Sequence, residues 1–413
     1  MGFLRSLNPQ LPRSVQTLQA GGLVNAFGNG IVLPFTFIYL HNLRGISYAV
    51  VGLILATNAG VGLVAGPVAG TLVDRFGGRR TLATALVFLS AGYLGYAFVH
   101  EWWQAFLIAV VTGIGNGAFW PAQSTLIAGL TPREKRTPAF AMQRVVMNLG
   151  IGIGAMTGGL IASTAHPGSF QLLFAINAAT FLVYFIVLLA LVPVVPPSRA
   201  AHDGPRGYAQ VLSDRAFRAV FAINTVFIFA GFAGFDLLSV YAKNHAGVDE
   251  RAIGLVFLVN TLVIVVAQLP VAKLVEGHRR MATLGLLGFV WAAAWVIVPA
   301  AGVWLQGTSA ALLLAIAAAV FGLGECLHGS VQAPLVTDLA APDLMGRYMA
   351  LSALSWQLGF TLGPAAGGIA IAVSPHGTWL VAAAICCVNG LLALALEPLV
   401  PDRARRTPRA ATA

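Results

Sequence analysis

The chain consists of long apolar stretches separated by short polar turns. Twelve of these stretches contain about 20 or more mostly apolar residues, which is the length that an α-helix needs to cross the hydrocarbon core of a bilayer. The pattern predicts membrane helices over residues 15–40, 48–72, 81–100, 102–129, 139–164, 169–194, 216–242, 252–272, 281–303, 309–338, 349–374 and 378–400. We therefore expect an all-α membrane protein with twelve transmembrane helices.

The longest polar interruption, residues 195–215, falls almost midway along the chain. It predicts a cytoplasmic linker between an N-terminal six-helix bundle, residues 1–194, and a C-terminal six-helix bundle, residues 216–400. A basic cytoplasmic tail, residues 401–413, follows. The first fourteen residues are polar and contain prolines without the pattern of a cleavable signal peptide, so we expect the first helix to be retained.

Composition excludes several classes of protein. Hydrophobic residues make up 58% of the 413 positions and charged residues only 9%, against about 25% charged residues in an average soluble domain. So few charges cannot cover the surface of a soluble enzyme or a nucleic-acid-binding protein, and a disordered chain is excluded for the same reason. The three cysteines, Cys326, Cys386 and Cys387, lie in apolar stretches without disulfide or zinc-site spacing, and are interpreted as packing residues.

Positive charge predicts the orientation of the helices. With both termini placed in the cytoplasm, 20 of the 24 Lys and Arg residues fall in inner segments and 3 in outer loops, as the positive-inside rule requires. The remaining one, Arg144, lies in the fifth predicted helix. The net charge of +10 is therefore a topology signal and does not indicate a nucleic-acid partner. We expect a multi-pass protein of the inner or plasma membrane.

The two halves of the chain resemble each other. A shift of 202 residues aligns the first two predicted helices with the seventh and eighth, and pairs Tyr39 with Tyr241, Asn42 with Asn244, Gly52 with Gly254, Asn58 with Asn260, and Asp74 with Glu276. A shift of 209 residues aligns helices 4 and 5 with 10 and 11, and pairs Gly113 with Gly322, Gly115 with Gly324, and Gln123 with Gln332. Matched asparagines inside apolar helices indicate an internal duplication, the architecture of many transporters.

The turn after the second predicted helix, residues 70–80, reads GTLVDRFGGRR. It resembles the loop signature of the major facilitator superfamily, G-x-x-x-D-R-x-G-x-R-R, and is complete at every fixed position: Gly70, Asp74, Arg75, Gly77, Arg79 and Arg80. The resemblance implies the major facilitator fold and a cytoplasmic gate, in which a carboxylate faces the positive N-terminus of a neighbouring helix. The alternative is a purely topological role for these charges. The corresponding loop of the second half, KLVEGHRR, is two residues shorter and keeps Glu276, so the first loop should matter more.

Glycines recur at spacings of four in two predicted helices, which lets helices approach closely. Helix 5 contributes Gly150, Gly154, Gly158 and Gly159, and helix 11 contributes Gly359, Gly363, Pro364, Gly367 and Gly368. Helix 5 resembles a motif of the superfamily's exporters and antiporters, except that Ala155 replaces its proline. In helix 4, Ala109 stands where the drug antiporters often carry a buried arginine. Both departures weaken the inference of antiport, so charged groups elsewhere must supply any proton coupling.

Of the 14 acidic residues, only Asp236 and Glu325 lie well inside apolar stretches. An ionised Asp costs about 2.5–3.5 kcal/mol at a helix centre on insertion scales, so burial favours proton uptake by such groups. His328 follows Glu325 by three residues and shares its helical face. We predict that Asp236, Glu325 and His328 handle protons. The alternative for each acid is a protonated or paired group that only bridges helices.

Polar and aromatic residues predict a central substrate cavity. Helix 10 presents Glu325, His328 and Gln332 on one face, and helix 4 presents Asn116, Trp120 and Gln123, with Asn116 at the repeat position of Glu325. The predicted lining is Asn25, Asn29, Asn116, Trp120, Gln123, Asn148, Gln332, Trp356 and Gln357. Taken singly, each could serve helix packing instead. Arg144 is expected to extend toward the lipid headgroups rather than to hold an anionic substrate group.

These features predict a transporter of the major facilitator type and not an enzyme. We expect a monomer that exports small amphipathic compounds, including drugs, in exchange for protons, by alternating access in a lipid bilayer. No metal, nucleotide or flavin motif occurs, so no cofactor is expected and ATP is not the energy source. Two alternatives stay open: a proton-coupled nutrient or metabolite symporter, and a non-transporting membrane sensor or scaffold.

Overall fold

The structure, a computed structural model, describes residues 11–132, 135–194, 206–341 and 344–407. In these ranges the regular elements are helices, with one isolated bridge between Arg279 and Arg406. Most of the predicted linker, residues 195–205, lies outside the described residues, as do both ends of the chain. The later part of that linker forms a short helix, Arg206–Ser213.

The chain folds into two compact units. Unit 1 comprises Met1–Ile46 and Thr57–Ala200, and unit 2 comprises Ser47–Ala56 and Ala201–Ala413. The start of the second helix therefore packs within unit 2, where the Asn244 amide donates to the Tyr48 hydroxyl at 2.8 Å.

Six long helices begin in the first half of the chain: α1 Arg13–Val32, α2 Tyr48–Phe76, α3 Gly78–Tyr96, α4 Trp102–Leu130, α5 Arg136–Ile161 and α6 Gly168–Leu191. In unit 1, α1 packs against α5 and α6, and α3 packs against α4 and α6. The first span is bent by 40° after α1 and continues over Thr36–Leu43. Pro34 lies in this break. Proline interrupts a helix because it has no N–H to donate and its ring clashes with the preceding turn.

Six long helices follow in unit 2: α7 Arg215–His245, α8 Glu250–Leu274, α9 Arg280–Val303, α10 Gly307–Leu339, α11 Met345–Val373 and α12 Pro375–Leu396. The Asp214 side chain caps α7 by accepting from the backbone N–H groups of Ala216 and Phe217. A π-helical turn, Ile228–Phe232, interrupts α7 midway. α10 packs between α8 and α9, α9 also packs against α12, and α7 packs against α11.

Ten of the described helices are long and apolar enough to cross a membrane, or eleven if the bent first span is counted as one. α3 is not among them. Its first turn carries Arg79 and Arg80, which lower the mean hydropathy of a 19-residue helix. Twelve spans with cytoplasmic termini therefore stay a prediction.

The internal repeat reappears in the packing of each unit. The Tyr39 hydroxyl donates to the Tyr96 carbonyl at 2.8 Å, at the end of α3. The Tyr241 hydroxyl lies 3.4 Å from the Pro299 carbonyl, near the end of α9. Each tyrosine ring also contacts a ring near the start of α6 or α12. Residues paired by the sequence shift thus make equivalent contacts in the two units.

Candidate functional site

The Glu325 carboxyl group is half-buried on α10 and is held from α8. The Asn260 amide donates through Nδ2 to Glu325 Oε1 at 2.9 Å and to the Ala318 carbonyl at 3.3 Å. An amide donor of this kind matches a carboxylate, which accepts hydrogen bonds only. The structure therefore places the predicted acid beside a neutral partner that can stabilise its charged form.

His328 is buried one turn further along α10 and belongs to a chain of hydrogen bonds. Its Nε2 lies 2.7 Å from Asn224 Oδ1, on α7. Asn224 Nδ2 donates to Ser355 Oγ on α11 at 2.7 Å, and that hydroxyl donates to the Ser352 carbonyl. Because the Asn224 nitrogen is already a donor, its oxygen accepts, and His328 Nε2 therefore carries the proton. This series of hydrogen bonds connects α10, α7 and α11.

Aromatic rings enclose the His328 imidazole. The centroids of Trp356, Phe232 and Trp291 lie 5.3, 5.8 and 6.2 Å from it. Phe232 closes the π-helical turn of α7 and also packs on Trp356, with ring centroids 5.1 Å apart. Trp356 and Phe232 are half-buried, so they offer part of their ring faces to a flat or cationic molecule.

Asp236 lies on α7 four residues beyond the π-helical turn and is half-buried. Within the described ranges, its backbone carbonyl accepts from Ser239 Oγ, whereas no hydrogen bond or ion pair engages its carboxyl group. The preceding Phe235 stacks on Phe321 of α10 at 4.9 Å between centroids, one turn before Glu325. The structure therefore brings α7 and α10 together close to both predicted acids. A π-helical turn of this kind is common near functional sites.

The equivalent face of unit 1 holds only neutral groups. The half-buried Asn116 amide donates through Nδ2 to Asn58 Oδ1 at 3.2 Å. Asn58 Nδ2 in turn donates to Thr112 Oγ1 at 2.6 Å. On α4, Trp120 is 43% exposed. The sequence repeat identified Asn58 as the equivalent of Asn260, but it did not predict that Asn58 bonds the proposed cavity residue Asn116.

Two predicted cavity glutamines are buried at helix contacts. Gln123 donates through Nε2 to the Tyr184 hydroxyl at 2.9 Å and accepts from Gln143 at 2.6 Å. Gln332 donates to Ser352 Oγ at 3.2 Å. Both amides therefore join helices inside their own unit, and the more open positions on these faces are Trp120 and Glu325.

The remaining predicted lining residues differ in exposure. Asn25 is buried on α1, and the Asn29 amide lies 3.5 Å from its Oδ1. Asn148 on α5 and Gln357 on α11 are half-buried. Arg144 is exposed, and its extension toward the headgroups stays a prediction.

The signature loop forms a tight turn between α2 and α3. Gly77 has a φ of +84°, a conformation that only glycine adopts without strain. Arg79 donates from Nε to the Leu188 carbonyl at 3.2 Å and also bonds the Leu189 carbonyl, at the end of α6. A cation is favourable there because the last carbonyls of a helix lack backbone donors. Arg79 therefore ties the loop to α6.

The other loop residues are less constrained by neighbours. Gly70 faces open space, Arg80 is exposed, and the Arg75 guanidinium lies 5.1 Å from the Phe76 ring centre. The side chain of Asp74 lies outside the described part of the structure, so its partners stay a prediction.

The corresponding loop of unit 2 is held by the C-terminal segment. Glu276 is exposed in this loop. Arg279 pairs with both carboxylate oxygens of Glu397, which raises the pKa of the Arg279 guanidinium. The buried Arg280 pairs with Asp338 at 2.6 Å, and the Gly277 N–H donates to the Thr407 carbonyl at 3.0 Å. Part of the predicted tail is thus bound to the loop.

The glycine-rich face of α5 lies against α1, and that of α11 lies against α7 except at Gly368, which lies against the start of α2. A Cβ at Gly154 would lie 2.1 Å from the Phe27 carbonyl oxygen on α1, and a Cβ at Gly363 would lie 2.2 Å from Ala233 Cβ on α7. Contacts below 3.0 Å would also arise at Gly150, Gly158, Gly359, Gly367 and Gly368. Close approach therefore requires glycine at these positions.

Known proteins resemble the chain over nearly its whole length. The Major Facilitator Superfamily model matches it twice, over residues 19–241 and 221–412. The uncharacterized MFS-type transporter YttB of Bacillus subtilis is 24% identical over 368 residues, covering 87% of this chain and 89% of the relative. Multidrug resistance protein MdtH of Aeromonas salmonicida is 23% identical over 356 residues, covering 85% and 86%.

Solved structures show the same fold. A POT family transporter in complex with 5-aminolevulinic acid matches with a TM-score of 0.79 and 14% identity, covering 95% of this chain and 97% of the other. The nucleoside transporter NupG matches with a TM-score of 0.71 and 14% identity, covering 93% and 99%.

Proposed function

The chain belongs to the major facilitator superfamily, and on that premise we propose that it exports small amphipathic compounds in exchange for protons. One observation carries the proposal: two carboxyl groups, Asp236 and Glu325, lie inside apolar helices of unit 2, and the hydrogen-bonded imidazole of His328 follows Glu325 by one helical turn. Acids are rare in membrane helices because of their cost, and mark ion or substrate pathways. The name of the MdtH relatives supports a drug-like substrate.

The half-buried aromatic rings support the amphipathic nature of the substrate. Phe232 and Trp356 offer apolar faces beside His328, and Trp120 does so in unit 1. Together with two acids, such faces favour neutral or cationic compounds over anions. A single proton that moves down a potential of 100 mV supplies about 2.3 kcal/mol, which corresponds to about 50-fold accumulation.

Alternating access then requires a cytoplasmic gate, which we assign to the loop of residues 70–80. Its support is the glycine-dependent turn at Gly77 and the anchoring of Arg79 to α6. The proposal includes twelve spans, cytoplasmic termini and a monomeric protein in the inner or plasma membrane. Asp74 is the group that we expect to close the inner seam.

Inverted membrane vesicles test the function. A proton gradient is imposed, a panel of amphipathic compounds is screened, and substrate and proton movements are recorded together for wild type, Asp236→Asn and Glu325→Gln. Opposite movement of compound and protons supports export by antiport. Movement in the same direction identifies the nutrient or metabolite symporter instead. If neither substrate nor protons move, the protein is a sensor or scaffold.

A further inference from the structure

The Asn260–Glu325 contact of unit 2 has a counterpart in unit 1. The shift of 202 residues places Asn58 on Asn260, and the shift of 209 places Asn116 on Glu325. Asn58 Nδ2 lies 3.5 Å from the Ala109 carbonyl, and Asn260 Nδ2 lies 3.3 Å from the Ala318 carbonyl. Since Ala109 and Ala318 are themselves related by 209, each asparagine reaches the same place on its partner helix.

The two pairs nevertheless present opposite ends of the amide. In unit 1, Thr112 accepts from Asn58 Nδ2 at 2.6 Å, so Asn58 turns its oxygen toward Asn116. The repeat position of Thr112 in unit 2 is Phe321, whose ring cannot accept this bond. The Asn260 amide hydrogens therefore go to Ala318 and to Glu325 Oε1.

We infer that Asn260 is the positioning residue for Glu325, and that its N–H donor sets the pH at which Glu325 exchanges its proton. A donor stabilises the carboxylate over the carboxylic acid, because only the carboxylate leaves both oxygens free to accept. The role of Glu325 in coupling rests on the function proposed above, but the effect of Asn260 on the carboxyl group does not.

Other ionisable groups lie on the described helices of unit 2. The titratable side chains of α10 at this level are Cys326 and His328, and α7 contributes Asp236. The charged residues of α8, α9 and α11 lie at helix ends. The Trp291 indole of α9 donates to the Phe321 carbonyl and is thereby occupied. Asn260 donates to Glu325 Oε1 without an intervening group, so its removal should act on Glu325 directly.

Infrared spectroscopy of the purified, full-length protein can test this. The C=O stretching band of protonated Glu325 is assigned by its loss in Glu325→Gln and is then titrated with pH. In Asn260→Leu, which removes the donor at similar size, we expect the midpoint to move upward by about one pH unit. The repeat-matched control Asn58→Leu should leave the midpoint unchanged. An unchanged midpoint in Asn260→Leu, or equal shifts in both variants, would overturn the inference.

A second variant keeps the test decisive if Asn260→Leu does not fold. Asn260→Asp places a second carboxyl group against Glu325, and two adjacent acids resist losing both protons. The Glu325 midpoint should then rise further, whereas Asn58→Asp should not move it, and no difference between these two variants would refute the role of Asn260.

The pH profile of substrate transport separates this inference from the proposed function. If the infrared midpoint and the transport profile of Asn260→Leu shift together, the positioning role of Asn260 and the coupling role of Glu325 are both supported. If only the infrared midpoint shifts, Asn260 positions Glu325, but Glu325 does not couple transport to protons. If the midpoint does not shift, the positioning role fails whatever transport shows.

Discussion

Units 1 and 2 share one scaffold but carry different chemistry. Unit 1 holds the complete loop signature with Gly77 and Arg79, whereas its half-buried polar pair, Asn58 and Asn116, is neutral. Unit 2 has a shortened loop held by Glu397, whereas its equivalent pair includes the acid Glu325. Under the proposed function, unit 1 supplies the cytoplasmic gate and unit 2 supplies the proton-binding groups.

The largest effect is expected from removing the acids of unit 2. Asp236→Asn and Glu325→Gln should keep substrate binding but abolish uphill transport, because an amide cannot exchange a proton. Accumulation ratios in inverted vesicles and equilibrium binding to purified protein measure the two properties. Accumulation at wild-type ratios in both variants would show that uphill transport does not need these acids. Units 1 and 2 would then not differ in proton coupling.

Scaffold substitutions should affect both units alike. Gly154→Leu and Gly363→Leu introduce side chains where an added Cβ alone would lie 2.1 and 2.2 Å from a neighbouring atom. Overpacking of this kind costs typically about 1–3 kcal/mol or more, so both variants should unfold at a lower temperature than wild type in detergent. Leu107→Ala on the exposed face of α4 serves as control. A loss of stability in only one unit would contradict a shared scaffold.

An intermediate effect is expected at the gate. Asp74→Asn should raise the population that is open to the cytoplasm, because it removes the negative charge proposed to hold the inner seam. Glu276→Gln should do less, because Glu276 is exposed in the shortened loop. Labelling of an engineered cysteine from the cytoplasmic side reports the population. Equal labelling of wild type and Asp74→Asn would show that Asp74 does not act as a gate in unit 1.

The smallest effect is expected from giving unit 1 an acid of its own. Asn116→Glu should insert and fold as the protonated acid, because its repeat mate Glu325 is accommodated in the same place and a protonated carboxyl group can donate to Asn58 Oδ1, the oxygen that accepts from Asn116. Ile114→Glu, at an exposed apolar position of α4, should be poorly tolerated, since an acid facing lipid costs several kcal/mol. The folded yield after membrane extraction compares them. Similar losses in both would mean that Asn116 does not face a hydrated space.

The proton-coupling properties of such a variant sharpen the comparison further. In the Glu325→Gln background, Asn116→Glu restores coupling only if the two repeat positions serve one proton route. Failure of this rescue would show that the acid must sit beside His328, which unit 1 lacks because Phe119 occupies the repeat position.

The sequence by itself determined the helical membrane architecture, the repeat and the family, because these depend on local runs of residues. Apolar length predicts a helix such as α4, and the spacing of Asn58 and Asn260 reveals the duplication. The loop of residues 70–80 carries the family resemblance in eleven consecutive positions. The arginines of α3 show the limit of this approach, since they lower its hydropathy below that of the other spans.

Only the tertiary structure decided which polar groups meet. The partners of Glu325 and His328 are Asn260 and Asn224, 65 and 104 residues away along the chain. No local pattern encodes such pairs, because the rotation and register of two packed helices decide which side chains face each other. The same holds for Gln123, which shares a helical face with Asn116 in sequence but is buried against Tyr184. Hydropathy therefore predicts that a helix spans the membrane, whereas packing decides what each polar residue on it can bind.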